Sequence, residues 1–151
     1  MTNPPTSREY PDRPWIGIGV AAFRGDAVLL VRRARPPRLG AWSLPGGAQH
    51  LGERVQDTAR RELREETGIE VGPLLLAEVI DALTTDAEGR LRFHYTIIDF
   101  AARWTAGEAH AGDDVSEVAW VLPKALPAHD LSAETLAVIA AARAMLAESG
   151  A

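Results

Sequence analysis

Residues 46–69 read GGAQHLGERVQDTARRELREETGI, and this stretch decides the fold. Residues 53–67 contain neither glycine nor proline, and Gly68 follows them directly, so the segment predicts a helix that ends at Gly68. A pair of glycines, Gly46 and Gly47, precedes the helix after Pro45. The pattern therefore predicts a glycine turn followed by an acidic helix.

The acidic residues of this helix lean toward the protein. At ~3.6 residues per turn, each residue advances about 100° around the axis. The apolar sector then holds Val55, Ala59 and Leu63, and the polar side holds Arg54, Asp57, Arg60, Arg61 and Arg64. Glu62 and Glu66 fall in or beside the apolar sector, and Glu65 lies on its flank. A solvated helix of Glu–Arg pairs, the alternative, does not account for this facing.

Carboxylates crowded at this spacing repel one another, and a low dielectric increases the repulsion. They stay ionised together only around a cation, and hard oxygen ligands select Mg²⁺ or Mn²⁺ rather than zinc. The Gly46–Gly47 pair adds backbone that can approach a ligand closely, because glycine has no side chain to block it. We interpret Gly47 as a substrate contact; a simple turn is the alternative.

The segment resembles the Nudix box: Gly, five residues, Glu, seven residues, Arg-Glu, an aliphatic residue, any residue, Glu-Glu, any residue, Gly and an aliphatic residue. Every fixed position is matched, by Gly47, Glu53, Arg61, Glu62, Leu63, Glu65, Glu66, Gly68 and Ile69. The order of the flanking strands extends the resemblance over most of residues 15–147. It implies a metal-dependent pyrophosphohydrolase that cleaves a nucleoside diphosphate linked to another group.

The resemblance also implies roles for individual residues. The metal ligands would be Glu62, Glu65, Glu66 and the backbone carbonyl of Gly46. Glu53 and Arg61 would support them, because Arg61 can pair with Glu65 across one turn or with Glu53 at the helix start. We count all five of these side chains as catalytic.

Two further groups of charged residues are candidates for the site. The general base is either a box glutamate or an acid of a later loop, where the choices are Asp113, Asp114 and Glu117; solvated loop charge is the alternative reading. Arg32 and Arg33 follow the second strand directly, so they are expected near the glycine turn, where they can bind phosphate oxygens.

The sequence around the box alternates strands with two separated helices. Residues 16–23 and 27–31 predict a hairpin, and residues 42–44, 71–83, 91–104 and 115–122 predict further strands. Ser132 is expected to cap a final helix that reaches about Leu146. We predict an α+β fold, a Nudix-type α/β/α sandwich with a mixed β-sheet. Residues 15–151 form one domain, and residues 1–14 form a flexible arm that Tyr10 and Trp15 can pin to the body.

Composition narrows the class of protein. The chain has 151 residues, no cysteine and a net charge of -5, so disulfides and thiol chemistry are excluded and binding to a nucleic-acid polymer is disfavoured. The polar start lacks a signal peptide's apolar centre, and no run is long enough to span a membrane. We expect a cytoplasmic protein and, from the resemblance, a homodimer.

The substrate is less constrained than the reaction. The segments around the box resemble the small ADP-ribose pyrophosphatase-like branch, which favours ADP-ribose or a similar sugar-nucleotide, cleaved to AMP and a sugar phosphate. The alternative is a pyrophosphohydrolase acting on nucleoside triphosphates, deoxy or oxidised forms included. A second alternative, a nucleotide sensor without turnover, is disfavoured by the intact box.

Overall fold

The computed structural model describes residues 8–36 and 38–150, which form eight strands and two α-helices. The elements follow the chain as β1 (Trp15–Arg24), β2 (Ala27–Arg33), β3 (Trp42–Ser43), β4 (Gly46–Ala48), α1 (Val55–Thr67), β5 (Glu70–Val71), β6 (Leu75–Thr85), β7 (Leu91–Ala106), β8 (Val115–Val121) and α2 (Ala133–Ser149), with a short 3-10 helix at Pro123–His129.

The sheet is mixed because β1 and β7 run parallel while the other strand pairs are antiparallel. β1 pairs with β2 next to the hairpin turn and with β4 near its own start. β2 continues away to pair with β3 and β8. The sheet therefore divides beside β1, and β4 lies in the division.

Each face of the sheet is covered by one helix. Strand residues alternate between faces: Ile18, Val20 and Phe100 pack with Leu63 of α1, whereas Ala21, Phe23 and Ala101 pack with Ile139 and Leu146 of α2. We call these the α1 face and the α2 face. This arrangement confirms the predicted α/β/α sandwich with a mixed sheet.

The structure corrects several predicted boundaries. Helix α1 begins at Val55 rather than residue 53, and Gly46–Ala48 form a strand against β1 rather than a turn. The strand predicted over 71–83 is broken after Val71, where Gly72 and Pro73 interrupt it. The predicted loop over 105–114 is shorter, because β7 runs to Ala106.

Two arginines also lie differently from the prediction. Arg32 and Arg33 are the last residues of β2 rather than the residues that follow it. The strand at their level is held by β8 on one side and β3 on the other, so the pairing extends the strand beyond Val31. Ser132 caps α2 as predicted, accepting the backbone N–H of Thr135 at 3.1 Å.

The predicted N-terminal arm lies partly outside the described residues, which begin at Arg8. Tyr10 donates its backbone N–H to the carbonyl of Arg92 and its hydroxyl to Asp86, at 2.7 and 2.9 Å. The guanidinium of Arg8 lies 5.3 Å from the ring centre of Trp15. The bonds of Tyr10 attach this segment to the β6–β7 hairpin, and Arg8 contacts the start of β1. No described helix is long and apolar enough to span a bilayer.

Candidate active site

The helix α1 presents two carboxylates to the sheet. Its buried residues are Thr58, Ala59, Leu63 and Thr67, and it ends at Gly68, whose left-handed backbone lets its N–H reach the carbonyls of Leu63 and Arg64. Because residues three and four apart share a face, Glu62 and Glu66 follow the buried side and lie next to β4. The structure therefore has these two residues directed toward the protein, as predicted.

Glu62 and Glu66 share a partly buried space. Only 13% of the Glu62 side chain is exposed, and Glu66 accepts the backbone N–H of Gly46 at 2.8 Å. Burial raises the pKa of Glu66 to about 7, which the Gly46 N–H opposes and the charge of Glu62 reinforces. Burial likewise raises the pKa of Glu62, against the stabilising effect of Arg61. Burial therefore disfavours the charged form of both carboxylates.

Arg61 holds the acidic residues around it in place. Its guanidinium donates to Glu53 at 2.7 and 3.0 Å, to Glu62 at 2.8 Å and to Glu65 at 3.1 Å. It also donates to the carbonyl of Ala48 at 3.2 Å, which ties helix α1 to β4. Arg61 thus joins two helix carboxylates, the loop before the helix and the glycine strand.

Glu53 is fixed in its charged form. The Arg61 guanidinium holds the pKa of Glu53 far below its usual range, helped by the hydroxyl of Thr58 and the backbone N–H of His50. Those two donors lie 2.7 and 3.1 Å from the Glu53 carboxylate. Glu53 therefore acts on Arg61 and on the loop that leads into the helix.

The glycines of β4 are required by close packing. A β-carbon at Gly47 would collide with the Glu62 carboxylate, and one at Gly46 would collide with the carbonyl of Ile18. Val20 N–H bonds to the Pro45 carbonyl and Gln49 N–H to that of Ile16, so the ladder with β1 skips Gly46. The peptide groups of Gly46 point away from β1, toward Glu66.

The third box glutamate stands apart from this pair. The Glu65 side chain is 44% exposed and bonds to Arg61. Within residues 8–36 and 38–150, no three acidic or histidine side chains are already gathered as a metal cage. The structure thus brings together Glu62, Glu66 and the glycine strand, and leaves Glu65 on the solvent side.

Two of the three candidate distal acids, Asp113 and Asp114, lie in the loop after β7, whereas Glu117, predicted in the same loop, lies in β8. His110 N–H bonds to the carbonyl of Thr67 and Gly112 N–H to that of Glu66, both at 2.9 Å, so the loop covers the end of α1. The charge of Asp113 contributes to the raised pKa of Glu66, which places this carboxylate near the pair.

The other two candidate acids are paired with arginines. Asp114 accepts from Arg35 at 2.9 Å, and Glu117 accepts from Arg32 at 3.0 Å. Of the three acids, Asp113 is the one whose charge contributes to the raised pKa of Glu66.

Alternation along β2 sends its two terminal arginines to opposite faces. Arg33 is close enough to Glu66 for its charge to lower the pKa of that carboxyl. Arg32 bonds to the carbonyl of Gly40 at 2.9 Å and to Glu117, on the α2 face. Of the two predicted phosphate-binding arginines, only Arg33 lies beside the glutamates.

Sequence reasoning missed a cavity on the α2 face. It has a volume of about 510 Å³ and is lined by residues of the loop after β2 and of the 3-10 helix, among them Arg38, Trp42, His129 and Asp130. The rings of Trp42 and His129 meet edge to face at 5.0 Å. Trp42 therefore lines a cavity, and the sequence carried no signal for the 3-10 helix that completes it.

Comparison with known proteins identifies the family. The NUDIX domain model matches residues 13–142. The ADP-ribose pyrophosphatase of Methanocaldococcus jannaschii is 32% identical over 104 residues, covering 69% of this chain and 59% of that protein. The nucleoside triphosphatase NudI of Escherichia coli is 34% identical over 104 residues, covering 64% and 72%.

A solved structure agrees with this fold. The MutT NUDIX hydrolase from Burkholderia pseudomallei superimposes with a TM-score of 0.74 at 29% identity, covering 85% of this chain and 98% of that one. The chain spans 40% to 59% of the length of the first curated relatives it matches.

Proposed function

The chain belongs to the NUDIX domain family, and we propose that it is a divalent-metal-dependent pyrophosphohydrolase acting on a nucleoside diphosphate linked to another group. The observation that carries the proposal is the pair Glu62 and Glu66, partly buried against the Gly46–Gly47 strand with pKa values above the usual range. Such carboxylates are costly unless a cation neutralises them.

The donor atoms fit a hard cation. Glu62 and Glu66 offer carboxylate oxygens, and the Gly46 carbonyl points to the same side because it takes no part in the ladder with β1. Oxygen ligands of this kind suit Mg²⁺ or Mn²⁺. Glu65 reaches this group only if its bond to Arg61 is exchanged for a ligand. We propose Mg²⁺ as the first metal to test.

The surrounding residues have separate tasks in this proposal. Arg61 orients Glu62 and is itself held by Glu53, so both act through the glutamates rather than on the substrate. Arg33 binds oxygens of the diphosphate. A bound divalent cation supplies charge neutralisation for the phosphoryl group and lowers the pKa of water. Asp113 is proposed to accept the proton of the attacking water.

ADP-ribose is the leading substrate. The matching pyrophosphatase of M. jannaschii carries ADP-ribose in its name. Arg61 is already bonded to the glutamates, and Arg33 is the further arginine whose charge acts on Glu66, which suits a diphosphate. A nucleoside triphosphate is the second candidate, favoured by the similarity to NudI, whose name states that activity. A homodimeric state and a cytoplasmic location stay predictions from the sequence.

Steady-state hydrolysis of a nucleotide panel tests both the proposed reaction and the proposed substrate. ADP-ribose, other sugar-nucleotides and common and oxidised triphosphates are compared by kcat/KM with excess Mg²⁺. ADP-ribose is expected to give AMP at the highest kcat/KM. A triphosphate that exceeds it tenfold, about 1.4 kcal/mol in transition-state binding, would replace ADP-ribose as the substrate; no turnover of any member would leave the nucleotide-sensor reading.

A further inference from the structure

One buried acid of the sheet has no role in the site described above. Asp99, in the middle of β7, is 6% exposed and lies on the α2 face. No described residue donates a hydrogen bond to its carboxyl, and the charge of Glu78, its partner on the neighbouring strand, repels it. A buried carboxyl without a donor costs free energy, and such groups concentrate at functional sites.

The oxygens of the Asp99 carboxyl are not completely sealed from solvent. Among the described residues, the side-chain atom that is fully enclosed and has no hydrogen-bond partner is a nitrogen of Arg143. The Asp99 oxygens also have no donor, so they are not fully enclosed. The carboxyl lies over Gly19, where a β-carbon would collide with it. It therefore occupies the space that a side chain at position 19 would otherwise fill.

An apolar platform adjoins this carboxyl along the same face. A β-carbon at Gly17 would meet only Ile97 and Tyr95 within 4 Å, both from the adjacent strand, so no other described element rests on that point. The side chains on this face lie beyond the end of the cluster that α2 covers and are only partly buried: Ile80, Ile97, Tyr95 and Trp15. Arg8 contacts two of them, with its guanidinium 5.3 Å from the ring centre of Trp15 and 3.5 Å from the Tyr95 hydroxyl. Gly17 adds no side chain to the face.

The platform lies within reach of the diphosphate site. Gly19, beside Asp99, is directly opposite Gly46 in β4, and Gly46 bonds to Glu66. Two strand spacings of roughly 4.8 Å each separate the backbones of Asp99 and Gly46. That separation is comparable to the length of a nucleoside between its base edge and its phosphate.

We propose that Asp99 recognises the base of the bound nucleotide: the base lies on the platform above Gly17, and its amino or ring N–H groups donate hydrogen bonds to the Asp99 carboxylate. Apolar and aromatic side chains supply contact with the faces of the ring, and the carboxylate reads its edge. The inference rests on the proposed function, because it assumes that a nucleotide occupies the glutamate site.

This assignment predicts selection by hydrogen-bond donors. A site that presents a buried acceptor rejects a ligand lacking the matching donor, because the acceptor is then left unpaired. The base should therefore bind more weakly when its amino group is removed. Two pairs differ in this way, adenine against purine without the 6-amino group, and guanine against hypoxanthine, which lacks the 2-amino group.

Calorimetric binding of the nucleoside monophosphates in Mg²⁺ tests the inference without requiring turnover. In at least one pair the amino-bearing base is expected to bind about tenfold more tightly, and Asp99→Leu, which has a similar shape and no acceptor oxygen, should bring that ratio near one. Asp81→Leu, the same change at an exposed position on the opposite face of β6, should keep the wild-type ratio. Equal binding within both pairs by the wild-type protein would overturn the inference, whatever the fate of the variant.

Kinetics on the best substrate separates recognition from a structural role. Asp99→Leu is expected to raise KM about tenfold while kcat changes less than about threefold. An Asp99→Leu protein with the wild-type base preference and KM would also overturn the inference. If no nucleotide is hydrolysed but the binding preference exists, the proposed reaction fails and the base-recognition role stands.

Discussion

Replacing Asp99 by asparagine should stabilise the protein above neutral pH. Burial, and after it the charge of Glu78, raises the pKa of Asp99 from its ordinary value of 3.8 to about 6. A shift of one pKa unit corresponds to about 1.4 kcal/mol. The charged carboxylate therefore lowers the free energy of unfolding by up to roughly 3 kcal/mol at high pH. Asparagine has the same shape and carries no charge, so the variant avoids this cost.

The pH dependence has a definite sign. The pKa of Asp99 is higher in the folded than in the unfolded chain. At a pH between these two values, the carboxyl is mostly protonated in the folded chain and mostly ionised in the unfolded chain. The contribution of this residue to stability is therefore present at about pH 4 and is lost as the pH rises through about 6. The advantage of Asp99→Asn should grow over the same window and level off above it.

Urea unfolding in EDTA at a series of pH values from about 4.5 to 8 measures this difference. The Asp81→Asn variant is the control, because Asp81 is exposed on the other face of β6 and surface changes usually stay within about 0.5 kcal/mol. The result that would refute this assignment is a difference in unfolding free energy between wild type and Asp99→Asn that stays constant with pH within that margin. Burial would then not destabilise the charged form of Asp99.

Three other substitutions test the catalytic region. Glu66→Gln should lower kcat at least about 10²-fold at saturating Mg²⁺, measured by AMP release; normal turnover would remove Glu66 from the metal site. Asp113→Asn should lower kcat about 10²-fold or more while Asp114→Asn stays near wild type, and equal effects would contradict the choice of Asp113. Gly47→Ala should weaken Mg²⁺ binding about tenfold or more, about 1.4 kcal/mol, because its β-carbon meets the Glu62 carboxylate; unchanged affinity by titration would argue against this contact.

The local features of the site could be predicted because they depend on short-range periodicity. Helix α1, its end at Gly68 and the inward facing of Glu62 and Glu66 all follow from ~3.6 residues per turn and from the pattern of apolar positions. The position of Glu65 on the flank follows from the same geometry. The sequence predicts that Arg61 pairs with Glu65 or with Glu53. In the structure Arg61 bonds to both.

Features that depend on distant parts of the chain were not predictable in this way. The strand character of Gly46–Ala48 arises from pairing with β1, some thirty positions earlier. The choice of Asp113 among three neighbouring acids depends on arginines at positions 32 and 35, which pair with the other two. Strand pairing and ion pairs of this range leave no local signature.

Two further features have a signal in the sequence itself. Arg32 and Arg33 are adjacent, and strand alternation alone sends neighbours to opposite faces once β2 is extended to include them. Asp99 interrupts the apolar run IIDFAA of β7, a pattern that marks a buried acid in a central strand. A charged residue in such a run signals a cost to folding, and hence a candidate for function.

The central claim, that hydrolysis depends on a cation held by Glu62 and Glu66, is tested most directly by titrating Mg²⁺ into the metal-free protein while following cleavage of its best nucleotide substrate. The account predicts no turnover in excess EDTA and full recovery as Mg²⁺ saturates. Undiminished turnover in excess EDTA would contradict it.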